Sequence, residues 1–183
     1  MPNRVDIAAF QKVMIVYNRN SGKQLFASML ARVNEVKKRL KQVIDPKSLE
    51  IVEIKSFEQV EGLAVRICQE KYDWIIVAGG DGTLRAIIDV FAKQEQMPYV
   101  SVFPAGTVNL VAKELLMSND PAKWVKRVSK GIVSPVQLGK ANGHIFLTVA
   151  GIGFDSLVVD NVSELEKKLL SKLAYVWQGT EMM

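Results

Sequence analysis

Val77-Ala78-Gly79-Gly80-Asp81-Gly82-Thr83 decides how this chain is read. It follows a short apolar run, Asp73 to Val77, that reads as a buried parallel strand, and it precedes a helical pattern from Leu84 to Ala92. Three glycines between strand and helix let the backbone turn sharply and approach a ligand closely. The helix start offers free N–H groups and the positive end of its dipole, which suit phosphate. Asp81 places a carboxylate in that anion site. A carboxylate repels phosphate unless a cation or a transferable proton lies between them, so the run points to Mg2+-nucleotide chemistry rather than to simple anion capture. The plainer competing reading is a tight turn and nothing more.

Two common phosphate motifs are excluded. The Walker pattern fails because Gln24 follows Gly22-Lys23 and Tyr17 stands where the upstream glycine is required. The dinucleotide fingerprint fails because Arg85 stands where its third glycine belongs.

Working outward, the sequence alternates strand and helix patterns. Lys12–Tyr17 is a strand, Asn18–Gly22 a polar loop, and Leu25–Val43 a helix broken at Asp45-Pro46. Leu49–Ile54 and Trp74–Ala78 are strands around a helix over Glu58–Glu70; a helix over Leu84–Lys93 leads to a fourth strand, Tyr99–Phe103. Helices over Asn109–Leu116 and Pro121–Ser129 follow. This order predicts an α/β lobe over residues 1–131, with a mostly parallel sheet flanked by helices. Such sheets bind ligands beyond the carboxyl ends of their strands, and three polar glycine loops fall there: Asn18–Gly22, Gly79–Thr83 and Pro104–Asn109.

Residues 132–183 read as the start of an incomplete, β-rich second lobe. Val136–Ala141 and His144–Ala150 form a hairpin about Asn142-Gly143; a bend at Gly151–Asp155 and a half-buried helix over Val162–Val176 follow. With no closing strand, residues beyond Val136 are expected to be less stable than the body, and the open hairpin edge leaves room for self-association.

The chain has 183 residues, 49% of them hydrophobic, and a net charge of +5, which suits ATP, nucleic acid or an anionic membrane surface. No dense Lys/Arg block alternates with aromatics, so no nucleic-acid partner is expected. Cys68 and His144 are single residues of their kinds, which excludes a disulfide framework and a Cys/His zinc cluster. Cys68 shares a helical face with Leu63, Ala64 and Ile67 and reads as a buried thiol; His144 follows the turn and reads as exposed, not as a base. Met1–Gln11 is too polar and short for a secretory signal, and no apolar run nears the roughly 20 residues of a membrane span. A cytoplasmic protein with at most peripheral membrane contact is expected.

At three places, in order, the chain resembles the diacylglycerol kinase catalytic family, which includes bacterial lipid kinases and sphingosine kinases. Asn18-Arg19-Asn20-Ser21-Gly22 is similar to the family's Asn-Pro-x-Ser-Gly loop, with Arg19 where proline is usual. Gly79-Gly80-Asp81-Gly82-Thr83 resembles its nucleotide loop, and Pro104-Ala105-Gly106-Thr107-Val108-Asn109 its Pro-x-Gly-Thr-x-Asn segment. Weaker likeness continues through Gly151–Asp155. The resemblance implies the fold of the amino-terminal lobe of NAD kinases and diacylglycerol kinases, and ATP-dependent phosphorylation of a lipid hydroxyl, diacylglycerol-like or sphingoid. It carries nucleotide binding to Asn18, Ser21, Gly22, Gly79, Gly80, Asp81, Gly82, Thr83, Gly106, Thr107 and Asn109. Asp81 would position metal or phosphate, with Mg2+ bridged through water; Thr83 and Thr107 read equally as helix N-caps.

The departures are Arg85 and Ala86 where the family often has Asn-Glu, Gln137 in place of an aspartate of the metal-water network, and Ser56 as a loose echo of a family threonine. The family's general base lies beyond Met183, so no residue is assigned that role, and the expectation is nucleotide binding with little or no lipid turnover by this chain alone. Competing readings are an NAD kinase-like enzyme, which Pro104–Asn109 argues against, and a non-catalytic nucleotide-binding or regulatory remnant.

Overall fold

The computed structural model describes residues 3–18, 29–56, 58–94 and 97–148. In chain order the elements are β1 (Asn3–Arg4), a 3-10 turn (Ile7–Ala9), β2 (Lys12–Asn18), α1 (Met29–Leu40), β3 (Ser48–Ile54) and α2 (Glu58–Gln69). There follow β4 (Trp74–Gly79), α3 (Asp81–Phe91), β5 (Tyr99–Pro104), α4 (Leu110–Glu114), α5 (Pro121–Val128), β6 (Ile132–Val133), β7 (Gly139–Ala141) and β8 (His144–Phe146). One compact unit covers Met1–Leu147 and includes the β7–β8 hairpin. The Gly151–Asp155 bend and the Val162–Val176 helix lie outside the described residues.

A four-stranded parallel sheet in the order β3-β2-β4-β5 organises the body. Its central strands are apolar throughout, because helices cover both faces and leave no side for water. Every residue of β4, Trp-Ile-Ile-Val-Ala-Gly, is buried. Alternate residues divide the core in two. Val13, Ile15 and Tyr17 of β2 pack with Val33, Val36 and Leu40 of α1 and with Trp124 and Val125 of α5. Met14 and Val16 pack with Val60, Ala64 and Ile67 of α2 and with Leu84, Ile87 and Phe91 of α3. The chain leaves β2 towards β3 on one side, then crosses back to β4 and β5 on the other. The winding reverses between β2 and β4, and the crevice of an open parallel sheet forms at that point, outside the carboxyl ends.

Several boundaries differ from the sequence expectation. Leu25–Ser28 lie outside the described residues. At its far end α1 tightens after Leu40, where Val43 N–H donates to the Leu40 carbonyl (2.8 Å), so Lys41–Val43 is a turn. The hairpin strands are shorter than Val136–Ala141 and His144–Ala150, with ladder pairing confined to Gly139–Ala141 and His144–Phe146. Its turn is as expected: Asn142 and Gly143 both have positive φ, at 49° and 82°. The β1–β6 pair leaves no signal in the sequence, because strands of two residues carry no periodicity.

A polar network closes the α2–β4 connection. Buried Tyr72 donates its hydroxyl to Glu50 Oε1 at 2.7 Å, and Arg66 reaches Glu50 Oε2 and Glu70 Oε1, each at 2.9 Å. Burial, then the hydrogen bond to Glu50, pushes the Tyr72 phenol up to about 12. A raised folded-state value means this contribution is complete below the unfolded tyrosine value, about 10, and is lost as pH climbs through about 12. Thermal melts across that window should show a fall in melting temperature that Tyr72→Phe flattens; the same alkaline slope in the variant would assign it elsewhere.

Candidate functional site

The carboxyl ends of β2, β4 and β5 lie side by side, with Tyr17 opposite Ala78 and Gly79 opposite Pro104. Two of the three glycine loops therefore emerge together at the sheet edge. The remaining loop, first in the chain, begins at half-buried Asn18, while Ser21 and Gly22 lie outside the described residues. The ladder continues past the strands, since Ala105 N–H donates to the Gly79 carbonyl at 3.0 Å.

The glycines serve close packing, not an unusual turn. Among the described residues the positive-φ glycines are Gly131 and Gly143, and Gly80 is extended at φ −93° and ψ −178°. A Cβ on Gly106 would stand 2.5 Å from Gly80 Cα and 2.8 Å from Asn109 Oδ1; one on Gly79 would stand 2.8 Å from Thr83 Cβ. The second and third loops thus touch backbone to backbone. Gly82 is different: a Cβ there would meet nothing within 4 Å. No neighbour in the described protein requires glycine at that exposed position in the first turn of α3.

Asp81 is the first residue of α3, so the helix begins inside the glycine run rather than at Leu84. Its carboxylate accepts from Leu110 N–H at 3.0 Å and Val111 N–H at 3.2 Å, which caps α4 from the neighbouring loop. Asp81 therefore does structural work as well, joining the glycine run to the start of α4. A carboxylate has about four lone-pair directions, so capacity for a further donor or a hydrated cation is left. Among the described residues no group of three or more His, Cys, Asp or Glu side chains could hold a metal. One carboxylate suits Mg2+ only in the manner of nucleotide sites, where phosphates and water complete the shell.

Neither threonine is an N-cap. The N-cap of α3 is Gly80 and that of α4 is Asn109, while Thr83 is buried under Gly79 and Thr107 is exposed. The N-cap positions fall to residues whose backbone the tight loops demand. Asn109 takes the left-handed conformation (φ 55°, ψ 54°) and closes the third loop reciprocally. Its Oδ1 accepts from Gly106 N–H and its amide donates to the Gly106 carbonyl, both at 2.8 Å.

Arg32 is a positioning residue that the sequence did not single out. From α1 it donates to the carbonyls of Asn119 (2.8 Å) and Pro104 (3.4 Å), and its guanidinium lies 4.9 Å from the Phe103 ring centre. Burial lowers its pKa. It fixes the start of the third loop against α1, a tertiary role indistinguishable in sequence from a solvated helix cation. Cys68, expected as a buried thiol, is half-buried, and burial raises its thiol pKa. His144 and Gln137 are exposed.

Comparison with known proteins agrees with this geometry. The diacylglycerol kinase catalytic domain profile matches residues 12–141. The chain belongs to the diacylglycerol kinase catalytic domain family. A diacylglycerol kinase of Staphylococcus carnosus is 32% identical over 173 residues, 94% of this chain and 55% of the relative. One from Bacillus subtilis is 32% identical over 190 residues, 94% of this chain and 56% of the relative. The crystal structure of a diacylglycerol kinase from Bacillus anthracis superposes with a TM-score of 0.66 at 28% identity, over 76% of this chain and 46% of that one. The chain spans about half the length of the curated relatives it matches. Within the family, Arg85 and Ala86 occupy α3 just beyond the glycine run, Arg85 exposed and Ala86 half-buried. No helix among the described residues is long and apolar enough to cross a membrane.

Proposed function

We propose that this chain is the nucleotide-binding part of an ATP-dependent lipid kinase whose acceptor is a diacylglycerol-like or sphingoid hydroxyl. One observation carries the reading: the Gly80 and Gly106 backbones meet beyond the carboxyl ends of β4 and β5, with Gly82 open beside them at the start of α3. Phosphoryl transfer depends mainly on positioning and charge neutralisation, and such a cradle supplies backbone N–H donors at close approach. Gly79–Thr83 and Gly106–Asn109 hold the triphosphate, and the resemblance adds Asn18, Ser21 and Gly22 as further nucleotide contacts. Mg2+ arriving with the nucleotide neutralises its charge, and Asp81 is the carboxylate placed to hold a water of its shell. Asp81 also keeps the two loops in register through Leu110 and Val111, so it is a positioning residue, and the general base lies elsewhere.

The proposal predicts Mg2+-dependent ATP binding that Asp81→Ala weakens. Loss of the charged cap should also cost about 1–2 kcal/mol of stability. Calorimetric titration with and without Mg2+, beside urea melts of both proteins, measures the two effects separately. Equal ATP affinity in both proteins under both conditions would refute the nucleotide reading.

A second reading, a non-catalytic nucleotide-binding remnant, is favoured by Arg85, Ala86 and Gln137 at positions where the resemblance implies Asn, Glu and Asp. Radiolabelled ATP with diacylglycerol or sphingoid base in mixed micelles tests the second reading: phosphate transfer that Asp81→Ala removes excludes the remnant, whereas binding without transfer by this chain fits both readings.

A further inference from the structure

Arg85 is an exposed cation beside the glycine cradle, and among the described residues it forms no ion pair or hydrogen bond. It stands in α3 four residues after Asp81 and three after Gly82, the spacings that bring positions together on a helix surface. Both carboxylates at that spacing are engaged elsewhere. Asp81 accepts from Leu110 and Val111 N–H, and Asp89 Oδ2 lies 3.3 Å from Lys93 Nζ. The next residue, Ala86, packs against the core and brings no carboxylate to the surface beside Arg85. Helical side chains lean back over the turn before their own Cα, so the reach of Arg85 extends over the first turn of α3. In that turn Gly82 leaves its surroundings open, since an added Cβ would meet nothing within 4 Å. An unpartnered guanidinium therefore borders open space at the start of the helix.

We infer that Arg85 binds the outer phosphates of the nucleotide and makes the site select for the length of the phosphate chain, ATP over AMP. The inference rests on the nucleotide reading above, and it holds for a kinase and for a non-catalytic remnant alike. Backbone N–H groups at a helix start offer only partial positive charge, and Asp81 sets a full negative charge in the same turn. A guanidinium one turn further on restores the balance. It stays charged at every relevant pH, and its planar fork matches two phosphate oxygens at once. The outer phosphates carry the most charge and are free of the nucleoside, so they are the part drawn to it. Arg85 thus supplies part of the charge neutralisation without a metal. A solvated surface cation would act on any anion through its long-range field, whereas this contact requires phosphate at the start of α3 and the arginine fork itself.

The test is calorimetric titration of the full chain with ATP and with AMP, in Mg2+ and in EDTA. Arg85→Ala should weaken ATP binding about 10- to 100-fold, the span of a hydrogen bond to a charged group, and leave AMP binding unchanged. The loss should persist in EDTA, because the guanidinium does not act through the metal. Arg85→Lys should recover only part of it, since an ammonium keeps the charge and lacks the fork. Lys41→Ala removes the same charge from an exposed residue just after α1, where the chain heads for the start of β3, and should match wild type. Urea midpoints of all variants should be unchanged, as neither side chain supports the core. Equal ATP affinity in wild type and Arg85→Ala would overturn the inference and leave the nucleotide reading standing. Equal losses for ATP and AMP, or the same loss in Lys41→Ala, would do likewise. A wild-type chain that binds no ATP would overturn both.

Discussion

Gly106→Ala is expected to abolish ATP binding and destabilise the fold, whereas Gly82→Ala removes ATP affinity and leaves the fold intact. The two glycines sit in neighbouring loops, yet their surroundings are opposite. The added carbon on Gly106 would stand 2.5 Å from Gly80 Cα, an atom of a backbone held between β4 and α3. It would also stand 2.8 Å from Asn109 Oδ1, whose two hydrogen bonds close the loop. Neither neighbour is the free end of a flexible side chain, so the loops must separate. Overpacking of this kind costs about 1–3 kcal/mol, and the separation dismantles the cradle as well. At Gly82 the added methyl meets no atom within 4 Å, and alanine in a helix is more stable than glycine by about 0.5–1 kcal/mol. Its only effect on binding comes from occupying the space through which phosphate approaches the first turn of α3. Urea melts and ATP titrations of both variants separate packing from ligand access. Wild-type ATP affinity in Gly82→Ala would remove the phosphate from that turn. A wild-type melt for Gly106→Ala would contradict the contact between the loops.

The parts of this design that were legible in sequence are those encoded locally. Continuous apolar runs at Val13–Tyr17 and Trp74–Ala78 reveal strands covered on both faces, and the glycine loops announce themselves by composition. The alternation of elements implies a parallel sheet, but not the order β3-β2-β4-β5 that puts the winding reversal between the first and second glycine loops. Contacts across long separations were hidden for the same reason. Asp81 reads locally as a metal-side carboxylate, while its two hydrogen bonds run to Leu110 and Val111, 29 and 30 residues away. Gly79, Gly80 and Gly82 read in sequence as freedom to turn sharply and to approach a ligand, although what requires glycine at Gly80 and Gly106 is the approach of one loop to the other. Arg32 and the β1–β6 pair have no signature, the first because its partners are remote carbonyls and the second because it is too short to show a period.

Trp124→Ala should give the largest loss of stability of any single change considered. Trp124 has no exposed surface and joins three elements. Its ring stacks near-parallel on Trp74 of β4, with centroids 6.3 Å apart and planes 9° apart, and meets Phe103 of β5 edge-on at 5.8 Å. Its indole N–H donates to the Val102 carbonyl at 2.7 Å, on the strand that ends the sheet. Truncation to alanine therefore opens a cavity between α5 and the sheet and strands a carbonyl that the packed helix shields from water. Deleting a buried tryptophan costs about 3–5 kcal/mol, a large share of the roughly 5–15 kcal/mol that holds a typical domain folded. At about 2–4 °C per kcal/mol for a chain of this size, the melting temperature should fall by about 6–20 °C. Trp124→Phe retains much of the aromatic packing but not the donor, so its loss should be intermediate, the difference from wild type including about 1–3 kcal/mol for the unsatisfied carbonyl. Urea denaturation of the three proteins measures both steps. A phenylalanine variant as stable as wild type would mean that the Val102 carbonyl finds water and that the indole is held by its rings alone. An alanine variant within 1 kcal/mol of wild type, by the same about-3-kcal/mol minimum, would mean that α5 does not anchor to the sheet through Trp124.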